Sequence, residues 1–245
     1  MSSNAPGPCC LTGVKHEGPV TGEIIDYHGI QTYVSGDKTS KKVIFILTDI
    51  FGHVLSNAQL IADDFAAQGY YVVVPDLFEG DAIPWTPFEK LGEIDLPGWL
   101  GKHSLEVIEP IVEKVLGHIK EDFAPTSIGS VGYCLGAKYV VRLLGDKKID
   151  AGAIAHPSFV TDEEVEKVTS PLIISAAQTD PIFPLANRVK TEEILTKNGV
   201  IFEIAVYSGV VHGFACRVDP TIAVAKYAKE RAFFSQVAFF AEHLK

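Results

Sequence analysis

The chain has 245 residues, of which 47% are hydrophobic, and its formal net charge is -10 at pH 7. This length suits one domain over residues 1–245, and the acidic charge argues against nucleic acid as a partner, because phosphate binding needs a basic face. No segment approaches the roughly 18 uninterrupted apolar residues of a membrane span, and residues 1–10 lack a signal-peptide pattern. We therefore expect a soluble protein of the reducing, cytosolic compartment.

Short apolar segments alternate with amphipathic segments along the chain. The pattern predicts strands over residues 22–35 (two strands around a turn at 28–29), 43–47, 71–75, 127–132, 151–155, 172–176 and 201–207. It predicts helices over 57–68, 105–120, 135–144, 162–168, 186–197 and from 220 to the C-terminus. Ser56 and Gln59 match a capping box at the first helix, and a polar and aromatic stretch occupies 76–103. The alternation predicts an α/β protein with a three-layer fold, in which helices flank a doubly wound, mostly parallel sheet.

A Gly-x-Cys-x-Gly motif joins the strand 127–132 to the helix 135–144. In Gly132-Tyr133-Cys134-Leu135-Gly136 the glycines avoid collisions around a strained nucleophile, and cysteine stands where serine is more usual. The N-terminus of the following helix favours a thiolate. We therefore predict that Cys134 is a nucleophile. The alternative is a buried structural cysteine in an ordinary strand-to-helix turn.

Asp180 and His212 each follow a predicted strand. Because open α/β sheets place functional groups at the carboxyl ends of their strands, both side chains should lie near Cys134. The chain order nucleophile, acid, histidine is the order of α/β-hydrolases, so we predict a triad in which Asp180 orients His212. The alternatives are a helix-capping or turn role for Asp180 and a surface-loop position for His212.

Acyl transfer also needs two donors aimed at the oxyanion. The backbone N–H of Leu135, directly after the nucleophile, is one candidate. The other is the backbone N–H of Ile50, in the loop that follows the strand 43–47.

Four motifs occur in order over nearly the whole chain: Thr48-Asp49-Ile50-Phe51-Gly52, Val74-Pro75-Asp76-Leu77-Phe78, Gly132-Tyr133-Cys134-Leu135-Gly136 and His212-Gly213-Phe214-Ala215. Together they resemble the dienelactone hydrolase (carboxymethylenebutenolidase) family. The opening Pro8-Cys9-Cys10, with Gly13, His16 and Gly18, is similar to the fungal branch of that family. The resemblance implies an α/β-hydrolase fold, a Cys-His-Asp triad, hydrolysis of small lactones or activated esters, and neither a metal nor an organic cofactor.

The chain departs from the bacterial members of that family at its substrate-binding positions. Those enzymes carry a glutamate at the position of Asp49, where it interacts with the thiol, and two arginines that hold the substrate's carboxylate. Here the first arginine position falls in Glu79-Gly80-Asp81, and the second is Cys216, with Arg217 one residue later. The resemblance therefore implies the family chemistry more firmly than the family substrate.

Loop side chains at the expected active edge are candidates for the substrate pocket. They are Asp49, Phe51, His53, Phe78, Trp85, His156, Phe183 and Arg217. For an acidic substrate, His53, His156 and Arg217 are the available positive or donor groups. Alternatively, some of the aromatic rings cap the core, and His156 is structural.

The combined prediction is a hydrolase that cleaves a small lactone or activated ester through an acyl-enzyme thioester on Cys134. A thioesterase of the same fold, or a non-catalytic or redox-sensing protein on a hydrolase scaffold, is the alternative. Cys9, Cys10 and His16 match no ordinary zinc spacing, so we expect no metal there. We assign residues 1–20 to an N-terminal extension that packs on the domain or is sensitive to redox conditions.

Overall fold

A sheet of eight strands runs through the centre of the computed structural model, which describes residues 1–85 and 93–245. The strands are β1 (Glu23–Tyr27), β2 (Ile30–Ser35), β3 (Lys42–Leu47), β4 (Tyr71–Pro75), β5 (Ser127–Tyr133), β6 (Ala151–Ala155), β7 (Leu172–Thr179) and β8 (Phe202–Val211). The helices are α1 (Ser56–Ala66), α2 (Leu96–Lys102), α3 (Leu105–Phe123), α4 (Leu135–Gly145), α5 (Asp162–Glu166), α6 (Leu185–Asn198), α7 (Phe214–Arg217) and α8 (Ala223–His243). A 3-10 helix spans Pro8–Leu11.

The strand order is β1-β2-β4-β3-β5-β6-β7-β8. The pairs of β2 with β1 and with β4 are antiparallel, and the pairs from β4 through β3 to β8 are parallel. From β3 the chain first adds β4 on one side and later β5 on the other, which makes a topological switch point at the carboxyl ends of β3 and β5. The predicted doubly wound, mostly parallel sheet is confirmed.

The residues of β3 explain why its sequence is a continuous apolar run. Val43, Phe45 and Leu47 pack in one core with residues of α3 and α4, whereas Ile44 and Ile46 pack in a second core with residues of α1 and α8. All five side chains are fully buried. Because helices cover both faces of the sheet, both sets of alternating side chains must be apolar.

The predicted capping box at the start of α1 is wrong. Leu55 occupies the N-cap position and makes no side-chain cap. The Ser56 hydroxyl instead donates to the carbonyl of His16, and the Gln59 amide donates to the carbonyl of His53. Both side chains therefore hold neighbouring loops, because these carbonyls offer partners that the sequence pattern does not reveal.

Two helices, α2 and α7, lie in segments that the sequence pattern left irregular. Pro97 and Gly98 near the start of α2 are poor helix formers and weaken the helical signal of this segment. The helix forms nevertheless, and the Asp95 side chain caps it by accepting a hydrogen bond from the Gly98 N–H. The two last strands also run further than predicted, to Thr179 and Val211. Residues 86–92 of the predicted 76–103 stretch lie outside the described residues.

Residues 1–14, here called the N-terminal strap, pack across the edge that carries the carboxyl ends of the parallel strands. The Ser3 N–H donates to the carbonyl of Val160 at 2.8 Å, and the Asn4 N–H donates to the carbonyl of Ile182 at 2.7 Å. At the other end, the Val14 N–H donates to the carbonyl of Arg217 at 2.8 Å. The 3-10 helix of the strap is thus held between two anchored ends. In the part of the chain that the structure describes, no helix is long and apolar enough to cross a membrane.

Candidate active site

Cys134 sits in a sharp turn between β5 and α4. Its backbone has φ 51° and ψ -110°, a conformation that non-glycine residues rarely adopt. The flanking glycines are required sterically, since a Cβ at Gly132 would lie 2.6 Å from the Cα of Ala137, and one at Gly136 would lie 2.0 Å from the carbonyl oxygen of Leu47. The turn can therefore approach α4 and β3 this closely because these two positions lack side chains.

The side chains of Cys134, His212 and Asp180 form a hydrogen-bonding series. His212 Nε2 lies 3.3 Å from Cys134 Sγ, and His212 Nδ1 lies 2.9 Å from Asp180 Oδ2. The sheet brings the last two together, because Thr179 pairs with Val211 across β7 and β8, directly before Asp180 and His212. Asp180 is further held by the N–H of Ile182, at 2.8 Å.

The electrostatics of this series favour a charged histidine. Burial by itself lowers the pKa of His212, but the hydrogen bond that His212 donates to Asp180 and the contact with Cys10 outweigh burial and raise it to about 10. Burial would raise the pKa of Asp180, yet the hydrogen bond with His212 leaves that pKa lower than usual. An imidazolium paired with a carboxylate is therefore the favoured state at neutral pH.

The two predicted oxyanion donors, the backbone N–H groups of Leu135 and Ile50, follow two neighbouring strands of the sheet. Leu135 is the first residue of α4, where an N–H group has no acceptor within its own helix. Ile50 belongs to the loop after β3, and Leu47 at the end of β3 pairs with Gly132 of β5. Asp49 shapes this loop by accepting from the Phe51 N–H at 3.1 Å. The two N–H groups thus come from the adjacent carboxyl ends of β3 and β5.

The N-terminal strap closes over these residues. Cys10 Sγ lies 3.5 Å from Cys134 Sγ and 3.4 Å from His212 Nε2. Cys134 is 0% exposed and His212 2% exposed, so neither presents a surface to solvent in this conformation. Cys10 was predicted to belong to a packed extension, but its position against Cys134 was missed. The adjacent pair Cys9-Cys10 was the one signal in the sequence.

Asp49 and Arg217, both predicted pocket residues, are paired with each other. The Arg217 guanidinium donates to Asp49, and it also lies 5.1 Å from the ring centroid of Phe51. Phe51 in turn contacts the Trp85 ring at a centroid distance of 5.3 Å. Arg217 is 2% exposed, and burial lowers its pKa to about 10. These four side chains form one cluster.

The other predicted pocket residues lie in the protein interior. Phe78 packs against the ring of Trp99, and Phe183 belongs to the core shared with α4 and α5. His53 lies 3.7 Å from Asp76, and burial lowers its pKa. His156 is fully buried, with its ring centroid 5.0 Å from that of His212.

Neither buried histidine supplies a positive charge to the site. Burial, followed by the nearby charge of His212, lowers the pKa of His156 to about 3, so its ring is neutral at neutral pH. That His53, His156 and Arg217 are the positive or donor groups for an acidic substrate stays a prediction, and in this structure the Arg217 charge is paired with Asp49. Sequence reasoning also missed Ser158, whose hydroxyl lies 3.5 Å from Cys134 Sγ.

Comparisons with known proteins agree with this fold. A model of the dienelactone hydrolase family matches residues 30–244. The chain is 42% identical to the hydrolase tropI of Talaromyces stipitatus over 255 residues, covering 100% of this chain and 99% of that protein. It is 37% identical to dienlactone hydrolase 1 of Gibberella moniliformis over 235 residues, covering 92% and 89%.

Solved structures show the same fold at low sequence identity. Dienelactone hydrolase from Anabaena variabilis superposes with a TM-score of 0.65 at 12% identity, covering 92% of this chain and 99% of that one. The family model and the full-length matches to fungal relatives at 42% and 37% identity carry the assignment, and the structural match supports the fold. The chain therefore belongs to the dienelactone hydrolase family and is a hydrolase of carboxylic esters or lactones.

Proposed function

We propose that the chain hydrolyses a small lactone or activated carboxylic ester with Cys134 as nucleophile, His212 as acid and base, and Asp180 as the group that orients His212. One observation carries this proposal: the unbroken series from Cys134 Sγ to His212 Nε2 at 3.3 Å and from His212 Nδ1 to Asp180 Oδ2 at 2.9 Å. Nucleophile, base and orienting carboxylate are the three parts that covalent acyl transfer requires.

In the first half-reaction the Cys134 thiolate attacks the carbonyl carbon, and the carbonyl oxygen becomes an oxyanion. The N–H groups of Leu135 and Ile50 are the proposed donors to that oxygen. The C–O bond then breaks, and the His212 imidazolium gives its proton to the leaving alkoxide. The products are a thioester on Cys134 and an alcohol, which stays attached to the acyl chain when the substrate is a lactone.

In the second half-reaction neutral His212 takes a proton from water as the water oxygen attacks the thioester carbon. The C–S bond breaks and returns the Cys134 thiolate, and the acid product leaves. Asp180 stays ionised throughout and accepts a hydrogen bond from the Nδ1–H of His212, which keeps Nε2 directed at the sulfur and stabilises each imidazolium.

Substrate entry requires the N-terminal strap to move, because Cys134 is 0% exposed beneath it. A cleft of ≈ 320 Å³ borders His212, and Thr12, Gly13 and Val14 of the strap form part of its wall. This cleft is the proposed route by which a small ester approaches when the strap lifts. Of the predicted pocket residues, Phe51 and Trp85 remain the proposed apolar wall.

We further propose that the preferred substrate is uncharged. Of the two positions that hold a carboxylate in the bacterial relatives, the first falls in the acidic Glu79-Gly80-Asp81 and the second is Cys216, and the Arg217 charge is neutralised by Asp49. An anionic lactone would therefore meet repulsion without a free cation to offset it. A higher kcat/KM for a neutral lactone than for its carboxylated analogue is the expected result, and the reverse order would contradict this proposal.

The proposed thiol chemistry also bears on the cellular compartment and on the two alternative functions, a redox sensor and a thioesterase. A nucleophilic thiol must stay reduced, which supports a cytosolic location, and the four cysteines are free thiols. Membership of a hydrolase family argues against the non-catalytic, redox-sensing alternative. Thioester hydrolysis uses the same three side chains, so a thioester belongs in every substrate panel.

The decisive experiment compares wild type with Cys134→Ala and Cys134→Ser on aryl esters, small lactones and thioesters. Cys134→Ala should lose turnover while remaining folded, and wild type mixed with a slow ester should gain the mass of one acyl group on Cys134. Cys216→Ala is the matched control, since Cys216 is a buried cysteine whose sulfur contacts His156 Nε2 at 3.9 Å. Full activity in Cys134→Ala would remove the thiol from the mechanism.

A further inference from the structure

Three metal-binding atoms meet beneath the N-terminal strap: Cys10 Sγ, Cys134 Sγ and His212 Nε2. The two sulfurs are 3.5 Å apart, and Nε2 lies 3.4 Å from the first and 3.3 Å from the second. The atoms thus form a nearly equilateral triangle, and all three residues are buried. We propose that this triangle is a binding site for Zn²⁺.

The spacing of the donor atoms fits a tetrahedral zinc ion. Zn–S bonds of about 2.3 Å and Zn–N bonds of about 2.0–2.1 Å imply tetrahedral edges of about 3.8 Å between sulfurs and about 3.5 Å between sulfur and nitrogen. Each observed edge is within a few tenths of an ångström of these values. The donor set, two thiolates and one imidazole with a fourth position for water, is one that zinc uses in proteins.

The surroundings already orient the histidine for metal binding. Asp180 Oδ2, 2.9 Å from His212 Nδ1, holds one ring proton on Nδ1, so that loss of the Nε2 proton leaves a lone pair directed at the metal. Zinc binding removes two protons from the cluster. This holds if both cysteines start as thiols beside a neutral imidazole, and it holds equally if one cysteine starts as a thiolate beside an imidazolium. Two thiolates then balance the charge of Zn²⁺, so the buried site gains no net charge from the ion and its ligands.

This site is not the group Cys9, Cys10 and His16, whose spacing in the sequence matches no ordinary zinc motif. The Nε2–H of His16 donates to the carbonyl of Val218, 2.7 Å away, so this nitrogen is not available to the cluster. Cys9 is half-buried and does not belong to the group of closely spaced ligand atoms. The strap contributes Cys10 alone, and the other two ligands come from the strand ends.

The consequence for activity rests on the proposed function. A zinc ion held by both Cys134 and His212 occupies the proposed nucleophile and the proposed base. Because Cys10 belongs to the strap, the ion would also hold the strap in its closed position. Zinc would then inhibit hydrolysis, and a chelator would restore it.

Calorimetric titration of the reduced full-length chain with Zn²⁺ tests the site directly. Wild type should bind one ion, and Cys10→Ala should bind it at least about 100-fold more weakly. Loss of a group that only supports a metal ligand costs about 10–100-fold in affinity, and Cys10 would be a ligand itself. Cys9→Ala is the matched control and should bind as wild type does. Wild type that binds no zinc, or Cys10→Ala with wild-type affinity, would overturn the proposal.

A second measurement needs no variant. X-ray absorption of the zinc-loaded wild type should show two sulfur neighbours at about 2.3 Å and nitrogen or oxygen neighbours at about 2.0–2.1 Å; one sulfur or none overturns the proposal. Ester hydrolysis with and without Zn²⁺ separates the two claims. A metal-free chain that binds zinc as expected but hydrolyses no ester keeps the zinc site and refutes the proposed function, whereas an active chain that binds no zinc does the opposite.

Discussion

The carboxylate of Asp49 and the guanidinium of Arg217 form a buried ion pair between the loop after β3 and helix α7. Arg217 also donates to the backbone carbonyls of Thr12 and Cys10, each at 3.1 Å. The side chains are 7% and 1% exposed, so solvent screens the pair little. One arginine thus joins the loop after β3 to the N-terminal strap, and it holds the strap in place next to Cys134.

Replacing Arg217 by Met should destabilise the fold and loosen the strap. The change leaves Asp49 buried without its partner, which costs about 3–5 kcal/mol, and removes both donors to the strap. We expect a lower urea midpoint and faster alkylation of Cys134 by iodoacetamide, followed by mass spectrometry under native conditions. Arg188→Met is the control, because Arg188 donates to the Ala177 carbonyl and not to the strap. Equal alkylation rates in both variants would show that Arg217 does not hold the strap.

Replacing Asp180 by Asn should lower kcat without unfolding the chain. The amide cannot balance an imidazolium and favours the wrong tautomer of His212, so we expect a loss of about 10²–10⁴-fold. The measurement is steady-state hydrolysis of an aryl ester, with Asp37→Asn as a control at an exposed acid. A kcat within a few-fold of wild type would mean that Asp180 does not act through His212.

The charge of His212 should be visible in its pH titration. Its pKa of about 10 in the folded chain lies above the 6.5 of an ordinary histidine. A raised folded pKa adds stability that is complete below about pH 6.5 and is lost as pH rises through about 10. Nitrogen chemical shifts of labelled histidine should therefore report an imidazolium at pH 7.

Asp180→Asn serves again as the comparison for this titration, because it removes the partner that raises the pKa. In that variant we expect the His212 pKa to fall, and the free energy of unfolding to change less between pH 7 and pH 10. A wild-type His212 that titrates near 6.5 would contradict the electrostatic account of the site.

The turn at Cys134 should tolerate no side chain at Gly136. A Cβ there would lie 2.0 Å from the Leu47 carbonyl oxygen, so Gly136→Ala must displace backbone, at a cost of about 1–3 kcal/mol or more. Gly117→Ala is the matched control, since Gly117 lies inside α3 and its Cβ would meet nothing within 4 Å. That variant should gain roughly 0.5–1 kcal/mol. Urea unfolding of both variants checks the contrast, and equal stabilities would refute the steric argument.

Much of this molecule could be predicted from local patterns. Continuous apolar runs such as 43–47 indicate strands covered on both faces, and their alternation with helices indicates a doubly wound sheet. In such a sheet the carboxyl ends of parallel strands share one edge, which is why Cys134, Asp180 and His212 were predicted to lie together. A role for the glycines at 132 and 136 was also predictable, because a tight strand-to-helix turn leaves no room for side chains at these positions.

Only the tertiary structure decided what surrounds that series. Cys10 meets Cys134 across 124 positions of the chain, and Asp49 meets Arg217 across 168. Phe78 and Phe183 follow strands, as pocket residues would, yet they turn inward to the core. Such contacts depend on how strand order and loop paths fold distant segments onto one edge. A periodic sequence pattern reports which face of its own element is buried, and it carries no information about which distant side chain lies opposite.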